Sequence, residues 1–249
     1  ADAAGTTYYA NTEWRFTPDD AKNSYTLSYD ANGGSLSGGT GAGSHEYQST
    51  ITLPTTKTKT GHTFNYFSLG GTTTSANSFN LPAYNITVKA NWTINTYTLS
   101  YNADGGSLSG GTAAETHNYN TKITLPTTKT KIGYTFHSFT IGSTTISGTS
   151  FNLPANNTTV VANWRIRQYT VTYLSTTPSY FGFTYSPRSY NFNTELTATM
   201  INIIPPRVIG QEYSFDKWTY NGNDLGTTRL PATNISLTAN WTSTETDNG

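Results

Sequence analysis

Apolar residues along this chain recur at every second position in short runs. Tyr25, Leu27 and Tyr29 alternate with Thr26 and Ser28, while Ile86, Val88, Ala90 and Trp92 share one parity against Thr87, Lys89 and Asn91. A period of two puts alternate side chains on opposite faces, so each run predicts a strand with one buried face. Asp30-Ala-Asn-Gly-Gly34 supplies residues that tolerate positive φ and predicts a turn. A second strand ends at Ile51-Thr-Leu53, Pro54 begins a Thr/Lys connection, and a third strand contains Thr63-Phe64 and Phe67. Phe64 and Phe67 stand three apart instead of two, which predicts a bulge or bend.

The whole pattern then returns. Tyr25-Thr-Leu-Ser-Tyr29 recurs at Tyr97–Tyr101 and, less closely, at Tyr169–Tyr173, each step being 72 residues. Ala-Asn-Trp closes each unit at Trp92, Trp164 and Trp241, and the first two units share about 47 identities in 72. Val160, Ala162 and Trp164 keep the parity of the closing strand, as do Ile235, Leu237, Ala239 and Trp241. The predicted organisation is an N-terminal arm (1–23), repeats at 24–95, 96–167 and 168–243, and a tail (244–249), with the third repeat divergent. Linkers run only from Thr93 to Thr96 and from Arg165 to Gln168. Compact units of this size have a diameter of about 28 Å, so three joined without slack predict a rod of about 80 Å.

Three motifs in fixed order carry a resemblance to a known family. Tyr29-Asp-Ala-Asn-Gly-Gly34, Gly133-Tyr-Thr-Phe136 and the Leu81-Pro-Ala segment leading to Ala90-Asn-Trp-Thr93 resemble the Listeria–Bacteroides repeat, the internalin-type B-repeat, over residues 24–243. The resemblance implies a mostly β fold of three tandem β-grasp-like modules, found in secreted and surface-anchored bacterial proteins as stalks, spacers and adhesive segments. The family's usual Gly-Trp-Tyr is replaced by Asn65-Tyr-Phe67 and His137-Ser-Phe139, and a tryptophan returns only at Trp218. The third unit also lacks the Gly-Gly turn and has Gln211-Glu-Tyr-Ser-Phe215 for the glycine-led motif, which marks it as a modified or capping repeat.

Composition removes several functions. Charged residues make up 11% of the chain and formal net charge is zero, which leaves no basic footprint for nucleic acid. No apolar run reaches the roughly 18 residues a membrane-spanning helix needs. Zero cysteines exclude disulfides and thiol-based metal sites. Thr and Tyr are abundant, favouring strands, and 14% aromatics provide core material. The opening Ala-Asp-Ala-Ala reads as a start left by a signal peptidase, an expectation of export to the cell surface.

Candidate chemistry is thin. His45, His62, His117 and His137 show no zinc spacing, and the carboxylates are scattered. The Asx-Ala-Asx-Gly-Gly segments have one carboxylate each and no later bidentate Glu, so they read as turns, not calcium loops. Leu53-Pro-Thr-Thr-Lys57 and its copy at Leu125 read as loops, lacking the features of a sortase signal. The expectation is therefore a protein that is not an enzyme and takes no cofactor or metal. Sequons at Asn85, Asn91, Asn156, Asn157, Asn234 and Asn240 are candidate glycosylation sites, with Asn91 and Asn240 on the parity opposite the core.

Two segments depart from the repeat. Tyr8, Ala10, Trp14 and Phe16 in the arm share one parity, predicting a strand that must pair with the first repeat or with a neighbouring molecule. Tyr180, Phe181, Phe183 and Tyr185, with Tyr190 and Phe192, form an aromatic cluster suited to sugar rings, to a neighbour's arm or to an altered core. The leading expectation is an extracellular structural or adhesive protein, a stalk or filament subunit whose partners are further copies of itself or host ligands. The alternative is a carbohydrate-binding module using the aromatics of repeat 3.

Overall fold

A computed structural model describes residues 23–175, 185–197, 207–208 and 211–245. The described residues form strands and turns without a helix, and contact density divides the chain at Asn95 into two units, residues 1–95 and 96–249.

Repeat 1 contains β1 (Ser24–Asp30), β2 (Ser35–Ser37), β3 (Gly43–Glu46), β4 (Thr50–Thr52), β5 (Thr56–Thr58), β6 (His62–Leu69), β7 (Thr72–Thr74), β8 (Ser78–Asn80) and β9 (Ile86–Ile94). Its main sheet has the order β3-β1-β9-β6-β7, and two ribbons, β2-β5 and β4-β8, lie outside it. The first and last strands are central neighbours and run parallel, from Leu27 opposite Ile86 to Asp30 opposite Lys89. This mixed sheet with parallel terminal strands is the expected β-grasp-like arrangement. The Thr/Lys connection expected after Pro54 is instead partly β5, whose three residues pair with β2.

Alternation explains the layers. Along β9, Ile86, Val88 and Ala90 are buried and Thr87 and Lys89 exposed, so one face of the sheet is dry. That face supplies Leu27, Phe67 and Val88 to a core completed by Ile51 of β4, Leu53 and Leu81. At the predicted turn Asn32 and Gly33 have φ of 48° and 80°, and Gly34 N–H donates to Ala31 O. Trp92 is half-buried and its Nε1–H donates to Ala31 O at 2.9 Å, tying the turn to the last strand. The β6–β9 register slips between Phe64 and Tyr66, which is the bulge the spacing predicts.

In the second unit, repeat 2 reproduces this plan with β10 (Thr96–Asn102), β11 (Ser107–Ser109), β12 (Thr116–Asn118), β13 (Lys122–Thr124), β14 (Thr128–Thr130), β15 (Tyr134–Ile141), β16 (Thr144–Thr145), β17 (Ser150–Asn152) and β18 (Thr158–Ile166). Repeat 3 contains β19 (Gln168–Ser175), β20 (Tyr185–Asn191), β21 (Arg207–Val208), β22 (Gln211–Tyr220), β23 (Asn223–Asp224) and β24 (Ile235–Glu245). Its sheet keeps the order β20-β19-β24-β22, with β19 and β24 parallel. The four-residue linkers expected from the sequence shrink to one residue, Asn95 between β9 and β10 and Arg167 between β18 and β19. Their flanking residues continue as strand.

Candidate interaction surfaces

The bulge places a polar group where the ladder cannot satisfy it. Asn91 Nδ2 donates to Tyr66 O at 3.4 Å, Ser68 Oγ at 3.1 Å and Lys89 O at 3.3 Å. Asn163 and Asn240 make the equivalent contacts, and Asn163 lies outside any sequon. The asparagine of Ala-Asn-Trp is thus a clamp for the bulge. A glycan on Asn91 or Asn240 would be attached at the nitrogen already engaged. Asn85, Asn157 and Asn234 differ: each is exposed and accepts, through Oδ1, the N–H of Thr26, Thr98 or Thr170 at 2.8–2.9 Å. Their amide nitrogens are outside that bond, so modification there is geometrically compatible with it. Asn156 accepts from Thr158 Oγ1 at 3.2 Å.

Each of the first two repeats carries the same groove beside its second ribbon. In repeat 1 it holds about 490 Å³ between Leu53-Pro54, Lys57, Phe64 and Asn77; in repeat 2 about 620 Å³ between the matching residues. Lys57 Nζ stands 5.0 Å above the Phe64 ring and Lys129 Nζ 5.0 Å above Phe136, so the cation is partly satisfied by the ring face. Hydroxyls, one cation and an aromatic wall offer contact chemistry. Among the described residues no group of three His, Asp or Glu gathers in a metal-binding arrangement. His45 and His117 bond the carbonyls of Gly41 and Ala113, and His137 faces solvent beside Arg165.

A further contact joins repeats 2 and 3. Arg167 N–H donates to Gly133 O at 2.9 Å, and Arg167 O accepts from Phe192 N–H at 2.8 Å, so one residue is bonded to both modules. Gly133 is buried at φ 76°, and a Cβ built on it would lie 2.1 Å from Phe192 Cγ. The Phe192 ring also meets Tyr134 edge-on, centroids 6.0 Å apart. The aromatic cluster therefore separates: Phe192 lies in this joint, and Tyr190 packs against the repeat 3 core with its hydroxyl 3.1 Å from Tyr173 OH. Tyr185 begins β20 opposite Tyr173. Tyr180, Phe181 and Phe183, and the arm residues Tyr8, Ala10, Trp14 and Phe16, lie outside the described residues. Sequence reasoning missed the role of Gly133, whose only signal was a glycine repeated at Gly61 and replaced in repeat 3.

Burial raises the pKa of Tyr29 and Tyr101. Tyr173 is raised most strongly, first by burial, then by its bond to Tyr190 and that phenol's charge, with Arg188 opposing. Each keeps its proton for a bond: Tyr29 donates to Thr40 O at 2.8 Å and Tyr101 to Thr112 O at 3.0 Å.

Comparison with known proteins bears on these surfaces. A putative membrane protein of Evansella cellulosilytica is 32% identical over 155 residues, covering 61% of this chain and 22% of the relative. Internalin H of Listeria monocytogenes is 31% identical over 146 residues, covering 56% of this chain and 25% of the relative. The chain thus spans about a quarter or less of the length of these curated relatives. Among solved structures, Streptococcal High Identity Repeats in Tandem domains 3-4 of a cell surface protein cover 61% of this chain and 99% of that one, at 16% identity and a TM-score of 0.25. The family model for the Listeria–Bacteroides repeat domain matches residues 25–93 and 97–163, more than half of the chain. With the repeated sheet, turn and Ala-Asn-Trp clamp behind that match, the chain belongs to the Listeria–Bacteroides repeat domain family.

Proposed function

We infer that this chain is a non-enzymatic, load-bearing and adhesive segment of a bacterial cell-surface protein, a stalk that links to further copies through its N-terminal arm. One observation carries the reading: in every repeat the first and last strands are hydrogen-bonded neighbours running parallel. Tension applied through the ends of a repeat pulls β1 and β9 in opposite directions along their shared ladder. The bonds of that ladder are loaded together, in shear, where an antiparallel terminal pair would open one bond at a time. Family membership and the similarity to internalin H support a place at the cell surface.

The arm adds the adhesive part. Among the described residues the sheet of repeat 1 ends in β3 and β7, the two edges at which an incoming strand would add. Zero formal net charge leaves little repulsion between copies.

Pulling single full-length chains from their two ends tests the load-bearing part, since forced unfolding reads the unfolding barrier. Separate high-force events, one per repeat, are expected; extension at forces too low to resolve would refute the reading. Deleting residues 1–23 should abolish multimers detected by light scattering, and unchanged assembly would remove the arm from it.

A further inference from the structure

The joint between repeats 2 and 3 has two halves that can be traced through the chain. The glycine half is a buried glycine with positive φ whose carbonyl accepts the N–H of the linker residue. Repeat 2 has it at Gly133, and repeat 1 has it at Gly61, with φ 67° and Asn95 N–H at 2.9 Å. The aromatic half is a ring whose own N–H donates to the residue just before the repeat. Repeat 3 has it at Phe192, and repeat 1 has it at Tyr47, whose N–H donates to Asn23 O at 2.8 Å. The residues that follow, Asn193 and Gln48, share φ of 63° and 65° and bond to Leu230 O and Leu81 O, which fixes the equivalence.

Repeat 3 breaks the series at its far end. Phe215 pairs with Trp241 as Phe136 pairs with Trp164, so Glu212 occupies the position of Gly133. The ladder of repeat 2 stops at Tyr134–Ile166, whereas that of repeat 3 continues through Glu212–Thr244 to Gln211–Glu245. Glu212 is exposed. A following repeat seated as repeat 3 is on repeat 2 would bring its aromatic ring onto the Cβ of Glu212, against a strand that runs on where the linker should turn.

We propose that the buried glycine decides which repeat end receives another module, and that Glu212 makes repeat 3 an end module on which no further repeat of this kind docks. The partner class is specific: a repeat of the same family presenting a Tyr47- or Phe192-type ring, accepted at a glycine-bearing end and refused at Glu212. The inference stands whether or not the chain bears load.

The chain has no cysteine, so spin labels can be placed at will. Labels at exposed Lys122→Cys in repeat 2 and Ser236→Cys in repeat 3 should give one narrow distance distribution in the full chain. Gly133→Glu, which copies repeat 3, should broaden it at least twofold. Phe192→Ala should do the same while leaving repeat 3 folded, since Phe192 lies outside its buried core. Narrow distributions in both variants would overturn the proposal. In a full chain extended by a second copy of residues 168–245, labels across the new junction should give a broad distribution that narrows with Glu212→Gly. A narrow one with Glu212 intact would equally overturn it.

Discussion

Repeats 1 and 3 build the same sheet from different supporting parts. In repeat 1, Phe67 fills the core beneath the bulge, Trp92 is anchored on a backbone carbonyl of the Gly-Gly turn, and two ribbons close the open face. In repeat 3, Trp218 takes the place of Phe67, Trp241 donates to Ser175 Oγ at 3.0 Å, and among the described residues the β4–β8 ribbon has as its counterpart a single bridge between Glu195 and Arg229. Strand order, parallel terminal strands and bulge survive this rewriting. The sheet is therefore specified by its alternating apolar face, and the layer over it is the part free to vary.

The largest test of that comparison lies at Trp218. It is 2% exposed, and its buried Nε1–H has no hydrogen-bond partner among the described residues. Trp218→Ala should destabilise repeat 3 by about 3–5 kcal/mol, read from denaturant unfolding, because a large cavity opens between Phe215, Tyr173 and the sheet. Trp218→Phe installs the residue found in repeats 1 and 2. It loses volume but removes an unbonded polar hydrogen, so its cost should stay below about 1.5 kcal/mol. Equal costs for the two would show that the repeat 3 core is built around the indole and is no variant of the others.

How much of this was readable from the sequence follows from element length and from distance along the chain. β1 and β9 were readable because seven and nine residues are enough to display a period of two. The bulge showed in the spacing of Phe64 and Phe67. Ribbon strands such as Ser35–Ser37 and Thr56–Thr58 were not readable, since three residues display no period and Thr-Lys-Thr resembles a loop. The joint was hidden for a different reason. Gly133 looks like an ordinary turn glycine until Phe192, in the next repeat, is known to need its space. Asn91 was assigned to solvent by parity alone, and the register slip is what turns it back onto the strand.

A second comparison concerns the anchor of the closing tryptophan. A Cβ added to Gly34 would lie 2.5 Å from Trp92 Cζ2 and 2.7 Å from Thr58 O; at Gly106 the distances are 2.5 Å to Trp164 Cζ2 and 2.8 Å to Thr130 O. The carbonyls belong to paired ribbon strands and cannot give way cheaply. Gly34→Ala and Gly106→Ala should each cost about 1–3 kcal/mol in their own repeat and shift the fluorescence of Trp92 or Trp164. In repeat 3 the acceptor is a side chain, so Ser175→Ala should cost about 0.5–1.5 kcal/mol by removing one hydrogen bond. A neutral Gly34→Ala would mean that the turn and the tryptophan are only loosely coupled, and that the two anchoring modes are interchangeable.

The smallest difference appears only in alkali. Tyr29 and Tyr101 donate hydrogen bonds to backbone carbonyls, while Tyr173 meets a second phenol, Tyr190. All three have folded pKa values above the unfolded value of about 10, most strongly at Tyr173. A folded state that holds a proton more tightly than the unfolded one gains stability that is complete below the unfolded pKa and is lost as pH rises towards and through the folded one. Each repeat should therefore weaken above about pH 10, repeat 3 most steeply. Tyr173→Phe removes both the proton and the bond, so the variant should be slightly less stable at neutral pH and lose less on going to alkali. Urea midpoints for both proteins, followed across that range, decide the matter. Curves that stay parallel would mean that Tyr173 contributes no alkaline weakness.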